Sequence, residues 1–284
     1  MTIEVLEPHG FCAGVTGALR KALALLESNG SDHSSGRTIT PCYCLHELVH
    51  NELVVNALKA KGMVFVESLD EVPDGSSVLF SAHGVSPSVR REAERKRLKV
   101  TDATCPFVTR VHQEARDFAA KGHAVVILGH PDHVEVKGIM GEVADPIVID
   151  ACPHPSLDAM SERRTLGVVS QTTMNADDVR TIVEALEKRF RIETMAEVCR
   201  ATKDRQDAVK AFDGDALLVL GSVQSSNTRR LCEVARCRTF RAGSLDEVRA
   251  LDLSGIRRLG VTSGASTPED FFRDVVAYLK GKGS

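Results

Sequence analysis

Short apolar runs recur along this 284-residue chain, and most are followed by a turn and then by an amphipathic segment. Continuous apolar runs are typical of strands that are covered by helices on both faces. Their alternation with helices predicts parallel sheets and an α/β fold. The length is sufficient for more than one hydrophobic core.

The apolar runs predict eight strands, and the helical periodicity predicts nine helices. The strands are residues 3–6, 63–66, 78–81, 124–128, 147–149, 166–169, 216–220 and 259–262. The helices are residues 14–27, 47–61, 86–96, 107–121, 176–190, 204–212, 227–235, 245–251 and 268–279. Residues 28–40 and 151–156 have the composition of loops.

Three of the eight cysteines stand at nearly equal intervals, since Cys12, Cys105 and Cys199 are 93 and 94 positions apart. Cys12 lies between a predicted strand and a predicted helix, and the glycines beside it permit a tight turn. The spacing predicts three similar lobes, each of which brings one thiol to a common centre. The predicted lobes are residues 14–104, residues 105–197, and residues 198–284 together with 1–13.

A set of three thiolates suits an iron–sulfur cluster in which one iron lacks a protein ligand, because such clusters normally take four cysteines. The open position is a Lewis acid to which a substrate oxygen can bind. The Cys-x-x-Cys-x-x-Cys spacing of ferredoxins is absent from the sequence. A catalytic cluster is therefore favoured over an electron-carrier module.

Five predicted strands run directly into polar residues. These residues are His83; His130, His133 and Glu135; Ser170, Gln171, Thr172 and Thr173; Ser222, Ser225, Ser226 and Asn227; and Thr262, Ser263 and Ser266. Ligands of parallel sheets bind beyond the carboxyl ends of the strands, so the set predicts one polar pocket. Hydroxyls, amides and imidazoles suit a small anion such as phosphate. Simple capping of the next helix is the alternative for Asn227 and Thr267.

Composition and motifs limit the possible partners. A net charge of −3 gives no reason to expect nucleic acid. No apolar run approaches the roughly 18–20 residues of a membrane span, and the first eight residues lack the basic region of a secretory signal, so a cytoplasmic protein is expected. Neither a phosphate-binding loop of the Gly-x-x-x-x-Gly-Lys type nor a Gly-x-Gly-x-x-Gly turn is present, which argues against a nucleoside triphosphate, NAD or FAD.

The segment from His46 to His50 matches His-Glu-x-x-His, the helix pattern of zinc metalloproteases. Cys42 and Cys44 precede it and offer soft ligands for zinc. A zinc hydrolase is thus an alternative, although it leaves the three spaced cysteines unexplained. The remaining cysteines are expected to be core or surface thiols, and four histidines to be surface residues. They are Cys152, Cys232 and Cys237, and His33, His112, His123 and His154.

Taken together, these motifs resemble the LytB/IspH family of reductases. The matching segments are residues 10–15, 46–51, 80–86, 102–106, 133–135, 171–173, 199, 225–227 and 264–266. They follow the order of the family and span nearly the whole chain. The resemblance implies three α/β lobes with mostly parallel sheets, arranged as a trefoil around one [4Fe–4S] cluster with Cys12, Cys105 and Cys199 as ligands.

The resemblance also implies a reaction, the reductive removal of the allylic hydroxyl of 4-hydroxy-3-methylbut-2-enyl diphosphate. The products would be isopentenyl and dimethylallyl diphosphates, the isoprenoid precursors of the non-mevalonate pathway. The implied diphosphate ligands are His46, His83, Ser225, Asn227 and Ser266, with Ser226 beside them. His133 would orient and protonate the substrate. Thr172 would bond to the substrate hydroxyl, with Thr173 next to it, and Glu135 would deliver protons. A ferredoxin or flavodoxin is the expected electron donor.

Several residues beside these motifs depart from the family pattern. His9, Thr16, Gly17, Val134 and Arg200 replace, respectively, an arginine, an aspartate, an arginine, a proline and an aromatic residue. A paralogue that reduces a related allylic diphosphate is therefore an open alternative. A redox sensor that uses the cluster without turnover is a third, non-enzymatic alternative.

Overall fold

The structure is a computed structural model that describes residues 1–30, 41–151, 153–158 and 164–282. Residues 31–40 of the predicted loop, His33 and Cys152 lie outside the described residues. Residues 28–30 were predicted to be part of this loop, but they form the end of the first helix.

The described residues form twelve strands and eleven α-helices, numbered in chain order. The strands are β1 Thr2–Val5, β2 Cys42–Leu45, β3 Met63–Val66, β4 Ser77–Phe80, β5 Lys99–Asp102, β6 Ala124–Leu128, β7 Ile147–Ile149, β8 Thr165–Ser170, β9 Arg191–Met195, β10 Ala216–Leu220, β11 Arg238–Ala242 and β12 Arg258–Ser263. The helices are α1 Ala13–Gly30, α2 Glu52–Ala60, α3 Pro87–Arg95, α4 Pro106–Ala120, α5 Val134–Met140, α6 Pro155–Asp158, α7 Ala176–Glu187, α8 Arg200–Ala211, α9 Ser226–Val234, α10 Leu245–Arg249 and α11 Glu269–Lys282.

The strands form three four-stranded sheets in which every pairing is parallel. Their orders are β3-β2-β4-β5, β7-β6-β8-β9 and β11-β10-β12-β1. In the first two sheets the strand that comes first in the chain therefore lies between the second and the third. In the last sheet β10 lies in the same way between β11 and β12, and β1 occupies the edge beside β12. This arrangement confirms the predicted α/β fold with three similar lobes, while the predicted residue boundaries of the lobes stay a prediction.

The repeated order creates a crevice of the same kind in each sheet. Strands β2, β6 and β10 are each followed in the chain by a strand on one side and then by a strand on the other side. The strand order therefore changes direction between β2 and β4, between β6 and β8, and between β10 and β12. Ligands of open parallel sheets bind at such switch points, beyond the carboxyl ends of the strands. The polar residues identified in the sequence follow five of these six central strands, β4, β6, β8, β10 and β12, and His46 follows the sixth, β2.

The chain divides into two compact units. The first unit consists of Met1–Val15, Val49–Asn56 and Cys199–Ser284, and it contains the third sheet. The second consists of Thr16–Leu48 and Ala57–Val198, and it contains the other two sheets.

Both faces of the central strands are covered. In the first unit Leu218 and Leu220 pack with residues of α10 and α11, whereas Leu217 and Val219 pack with residues of α8 and α9. The central strand β6 of the second unit behaves alike, since Val126 lies in one core and Ile127 in another. This two-sided burial is why these strands read as unbroken apolar runs.

The structure differs from the sequence prediction mainly at sheet edges. Strands β5, β9 and β11 were not predicted, and all three are edge strands with charged or polar residues on an exposed side. The central strand β2 was missed because its Cys-Tyr-Cys-Leu sequence is short and precedes the zinc-like motif. No helix in the described part of the chain is both long and apolar enough to cross a membrane.

Candidate functional site

Each of the three spaced cysteines stands at the start of a helix. Cys12 immediately precedes α1, and Cys105 and Cys199 are the N-terminal caps of α4 and α8. All three are partly exposed, reduced thiols. The amides and the dipole at a helix N-terminus favour a negatively charged group, so these positions suit thiolates that bind a soft metal.

In the first unit, the turn that carries Cys12 is fixed to the end of β12. The Gly10 N–H donates to Ser263 Oγ at 2.8 Å, and the Cys12 N–H donates to the Ala265 carbonyl at 3.1 Å. The Val15 N–H donates to Cys12 Sγ at 3.5 Å. Gly10 has a φ of +67°, a conformation that favours glycine. The backbone thus sets the direction of the Cys12 side chain.

A chain of hydrogen bonds leads from the same segment to Cys199. The Ala265 N–H donates to Asn227 Oδ1 at 3.1 Å, and Asn227 Nδ2 donates to Thr202 Oγ1 at 3.1 Å. Thr202 Oγ1 lies 3.2 Å from Cys199 Sγ. The Thr202 hydroxyl can donate to this sulfur when the cysteine is ionised or bound to a metal. Such a bond stabilises a thiolate or a metal-bound sulfur.

The serines of the predicted anion site lie at two strand ends of the first unit. Ser225 caps α9 by accepting from the Thr228 N–H at 3.3 Å, and Ser226 follows it as the first helical residue. Both serines are buried. Ser266 follows β12, and its hydroxyl donates to the His50 carbonyl at 3.2 Å. The residues are positioned as predicted for one sheet crevice, and their binding of an anion stays a prediction.

Two glycines bring α9 close to the strand ends. A Cβ at Gly221 or Gly264 would lie 2.4 Å or 2.3 Å from Thr228 Oγ1, within the first turn of the helix. Gly221 also has a φ of +146°. A side chain at either position would therefore push the helix N-terminus away from the crevice.

In the second unit, Glu135 and Thr172 form a buried pair. Glu135 Oε1 accepts from the Thr172 N–H at 2.6 Å, and Glu135 Oε2 accepts from the Thr172 hydroxyl at 3.0 Å. Glu135 is only 2% exposed. Burial raises the pKa of this carboxyl to about 7, and the two bonds from Thr172 oppose the rise without cancelling it. The carboxyl can therefore hold and release a proton near neutral pH.

Two histidines of the same unit adjoin this pair. His133 caps α5, and its Nδ1 accepts from the Glu135 N–H at 3.2 Å. Nε2 of a neutral His133 ring consequently carries the proton and is a donor. The rings of His83 and His133 meet edge to face with centroids 5.9 Å apart. The structure thus brings four predicted site residues together, His83, His133, Glu135 and Thr172.

The remaining predicted residues of this unit lie on adjoining loops. The Cys105 N–H donates to the Ala82 carbonyl at 3.0 Å, which ties that cysteine to the turn of His83. Thr173 Oγ1 accepts from Gln171 Nε2 at 3.0 Å. His46 follows β2, and its Nδ1 lies 2.8 Å from Glu67 Oε2, an exposed carboxylate.

The zinc-metalloprotease alternative is not supported by the local backbone. Its pattern requires two histidines on one face of a helix, but residues 46–50 are irregular and α2 begins only at Glu52. His46 has a φ of +59°, which no α-helical residue adopts. The helix predicted over 47–61 was therefore wrong over its first turn. Among the described residues as placed, no three His, Cys, Asp or Glu side chains form a group that would hold a single metal ion.

Four further cysteines are chemically different. Burial raises the pKa of Cys44 to about 12 and that of Cys232 to about 11, and it also raises the pKa of Cys42 and Cys237. Thiols with a raised pKa are poor nucleophiles and poor metal ligands. The prediction that Cys232 and Cys237 are core or surface thiols agrees with their partial burial.

His112 was predicted to be a surface residue, but it is buried. Its Nδ1 lies 2.8 Å from Glu142 Oε1, and its ring packs against Gly84, which follows His83. The prediction was wrong because the polar ring is paired with the carboxylate of Glu142, just beyond the end of α5, and not with solvent. His112 therefore supports the turn of His83.

Thr202 and Arg205 were missed in the sequence. Both are buried on α8, one and two helical turns after Cys199. The helix was predicted to begin at residue 204. For that reason Cys199, Thr202 and Arg205 were not recognised as lying on one face of a helix. Their spacing of three and six residues from Cys199 was the available signal.

Comparison with known proteins identifies the family of this chain. A family model described as LytB protein matches residues 3–280. The chain is 43% identical over 289 residues to 4-hydroxy-3-methylbut-2-enyl diphosphate reductase of Anaplasma marginale (strain St. Maries), which covers 98% of this chain and 82% of that protein. It is also 43% identical over 287 residues to a protein of the same name from Azoarcus sp. (strain BH72), with 98% and 89% covered.

Solved structures extend the likeness to the fold. The E-1-hydroxy-2-methyl-but-2-enyl-4-diphosphate reductase from Plasmodium falciparum matches with a TM-score of 0.88 and 30% identity, covering 98% of this chain and 87% of that one. A second structure, described as (E)-4-hydroxy-3-methyl-but-2-enyl diphosphate reductase, the terminal enzyme of the non-mevalonate pathway, matches with a TM-score of 0.69 and 28% identity over 99% of this chain and 100% of that one. The chain belongs to the LytB family.

Proposed function

We propose that this chain is a 4-hydroxy-3-methylbut-2-enyl diphosphate reductase, which removes the allylic hydroxyl and yields isopentenyl and dimethylallyl diphosphates. The names of its relatives support this reaction. The structural observation that carries the proposal is the Glu135–Thr172 pair. A buried carboxyl with a pKa of about 7, bonded to a hydroxyl, is suited to deliver a proton near neutral pH.

We further propose that Cys12, Cys105 and Cys199 bind one [4Fe–4S] cluster. The residues fit such a group, because three reduced thiols stand at helix N-termini, Cys12 Sγ accepts from the Val15 N–H, and Cys199 Sγ lies within hydrogen-bond distance of the Thr202 hydroxyl. When bound, the cluster would supply electrons and, at an iron without a protein ligand, a Lewis acid for the hydroxyl oxygen. A buried N–H of Arg205 that has no hydrogen-bond partner within the described part of the chain is a further sign that an acceptor belongs beside it.

The diphosphate would be held by imidazoles, hydroxyls and an amide at the strand ends. The proposed ligands are His46, His83, Ser225, Ser226, Asn227 and Ser266. The first-turn amides of α9 add fixed donors and a favourable dipole for an anion. Thr173 adjoins Thr172 and would line the same pocket.

The reaction consumes two electrons and two protons. One proton leaves with the hydroxyl oxygen as water, and the other is added to the allylic carbon. Protonated Glu135 would donate to the Thr172 hydroxyl, its present hydrogen-bond partner, as that hydroxyl passes its own proton to the substrate. His133 would orient the substrate by donating from Nε2, because its Nδ1 is held by the Glu135 amide. Burial of Glu135 keeps bulk water from competing for the proton.

The electrons must come from another protein, since no nicotinamide or flavin motif is present. We propose a ferredoxin or a flavodoxin as the donor, and we expect the reaction to take place in the cytoplasm. Related allylic diphosphates are competing candidate substrates, because several residues beside the motifs depart from the family pattern. These residues are His9, Thr16, Gly17, Val134 and Arg200.

The test is an anaerobic assay of the iron-loaded protein with the authentic diphosphate and a strong chemical reductant. We expect substrate loss and the formation of both C5 diphosphates. Protein that contains iron and sulfide, is reduced, and leaves the diphosphate intact would contradict the proposal and favour the redox sensor. Faster turnover of a related allylic diphosphate would identify a paralogue.

A further inference from the structure

Arg205 is a buried cation that has no carboxylate partner within the described residues. Its side chain is part of α8 and the residue is only 2% exposed. No ion pair between Arg205 and an aspartate or glutamate is present among the described residues, although Glu7 and Asp204 act on it at longer range. An uncompensated buried charge is strongly destabilising, so such a residue requires a neighbouring negative group.

Three hydrogen bonds fix the guanidinium. Nη1 donates to the Ala201 carbonyl of the same helix at 2.9 Å, and Nη2 donates to the Gly10 carbonyl at 2.8 Å and to the His9 carbonyl at 3.4 Å. The side chain therefore joins the helix that begins at Cys199 to the turn that leads into Cys12. These two segments are almost 200 positions apart in the sequence.

The remaining atom of the fork is unsatisfied. Nε of Arg205 is buried and its N–H has no hydrogen-bond partner among the described residues. Orphaned N–H groups of this kind are rare in folded proteins. Burial lowers the pKa of Arg205, and the negative charge of the Cys12 and Cys199 thiolates opposes this effect. The negative partner that the guanidinium requires is thus expected on the side of the two cysteines.

We propose that Arg205 is a positioning residue for the cluster: it joins the Cys12 turn to the start of α8 and keeps a buried positive charge beside both sulfurs. This inference rests on the proposed ligation by Cys12 and Cys199. A cluster held by thiolates is a net anion that becomes more negative on reduction, so a fixed cation stabilises the reduced form more than the oxidised form. Arg205 would accordingly raise the reduction potential.

Three variants of the full chain separate charge from geometry. Arg205→Gln removes the charge, and Arg205→Lys keeps the charge but cannot bond to the carbonyls as a planar fork does. Arg200→Gln is the matched control, because Arg200 also lies next to Cys199 on α8 but its side chain is 92% exposed. The measurements are iron and sulfide content, the midpoint potential, the rate of iron release to a chelator, and thermal unfolding of the protein without iron. None of them requires the substrate.

For Arg205→Gln we expect the one-electron equilibrium to shift about tenfold towards the oxidised cluster, which corresponds to a potential about 59 mV lower. Arg205→Lys should keep a potential closer to that of the unaltered protein and release iron several times faster. Arg200→Gln should match the unaltered protein, because solvent screens an exposed charge.

An unchanged potential in iron-loaded Arg205→Gln would overturn the inference. If that variant folds but takes up no iron, the positioning role is supported. If it does not fold, Arg205→Lys decides, since iron release at the rate of the unaltered protein would overturn the role. Unaltered protein that binds iron but does not turn over the diphosphate would refute the reductase proposal alone, and the potential of Arg205→Gln would still test this inference.

Discussion

The carboxylate of Glu135 accepts both of its hydrogen bonds from a single residue, Thr172, one from the backbone N–H and one from the hydroxyl. The backbone bond fixes the position of the carboxylate, and the hydroxyl bond provides a path for a proton. These two functions can be separated by mutation. Removal of the Thr172 hydroxyl leaves the backbone bond, whereas removal of the Glu135 acid leaves the shape of the pocket.

Glu135→Gln should lower the turnover number about 100-fold or more while leaving iron content unchanged, because an amide cannot deliver the proton. The measurement is anaerobic steady-state turnover together with iron analysis. Glu233→Gln, at a half-exposed carboxylate paired with Arg230, is the control and should keep full activity. Equal turnover in the Glu135→Gln variant and the unaltered protein would exclude Glu135 as the proton donor.

Activity should fall as the pH rises through about 7, since Glu135 must be protonated to act as an acid. Its folded pKa lies above the ordinary value of 4.5, so the folded state binds the proton more tightly than the unfolded state does. This residue therefore contributes stability below pH 4.5 that is lost as the pH rises to about 7. The pH profiles of turnover and of thermal unfolding, compared with those of Glu135→Gln, measure both effects.

Thr172→Val should raise the pKa of Glu135 further and slow turnover, because the hydroxyl bond to the charged carboxylate is lost. Thr172→Ser retains the hydroxyl and should restore most of the activity. The inflection in the pH profile of turnover reports the shift. An inflection that moves down in Thr172→Val would contradict the assigned hydrogen bond.

Replacement of Cys12, Cys105 or Cys199 by serine should abolish the cluster, whereas Cys42→Ser and Cys44→Ala should retain it. The last two thiols are buried on β2, and the pKa of Cys44 is raised to about 12. Iron and sulfide analysis of anaerobically prepared protein is the measurement. A full complement of iron in any of the first three variants would remove that residue from the proposed ligand set.

Gly10→Ala should destabilise the fold by about 1–2 kcal/mol, because alanine would have to adopt a φ of +67°. Its Cβ would also displace the Glu269 carboxylate, which lies 2.2 Å away. Gly17→Ala is the control, since the position lies inside α1 and the new Cβ meets nothing within 4 Å. That change should stabilise the protein by about 0.5–1 kcal/mol. Thermal unfolding of the two variants distinguishes the backbone effect from a general effect of added volume.

The sequence predicts strands with continuous apolar runs well, including the edge strands β3 and β7, and it misses the edge strands in which charged residues interrupt the run. Strands β6 and β10 were predicted to the residue because both of their faces are buried. Strand β11 is exposed along part of its length, so Arg238 and Arg241 interrupt the apolar pattern by which strands are recognised. The pattern of apolar residues in a strand reflects which of its faces are buried. At a sheet edge this burial depends on neighbouring segments that the sequence of the strand does not reveal.

The candidate site shows the same limit. The motif residues were found because they follow apolar runs, and the contact between Glu135 and Thr172 was not foreseen because 37 positions separate them. The His-Glu-x-x-His pattern was misleading because residue types alone do not record a positive φ at His46. Arg205 was overlooked because a buried arginine is rare and the start of α8 was placed too late.

The pairing of β1 with β12 has a consequence for the order of biosynthesis. Gly10, two residues before Cys12, is held by Ser263, which is 253 positions later in the chain. Domains generally begin to fold during translation from the N-terminal side. The Cys12 turn must nevertheless wait until Ser263 has been synthesised. Metal insertion that depends on this turn would therefore follow the synthesis of β12 and could not accompany that of α1.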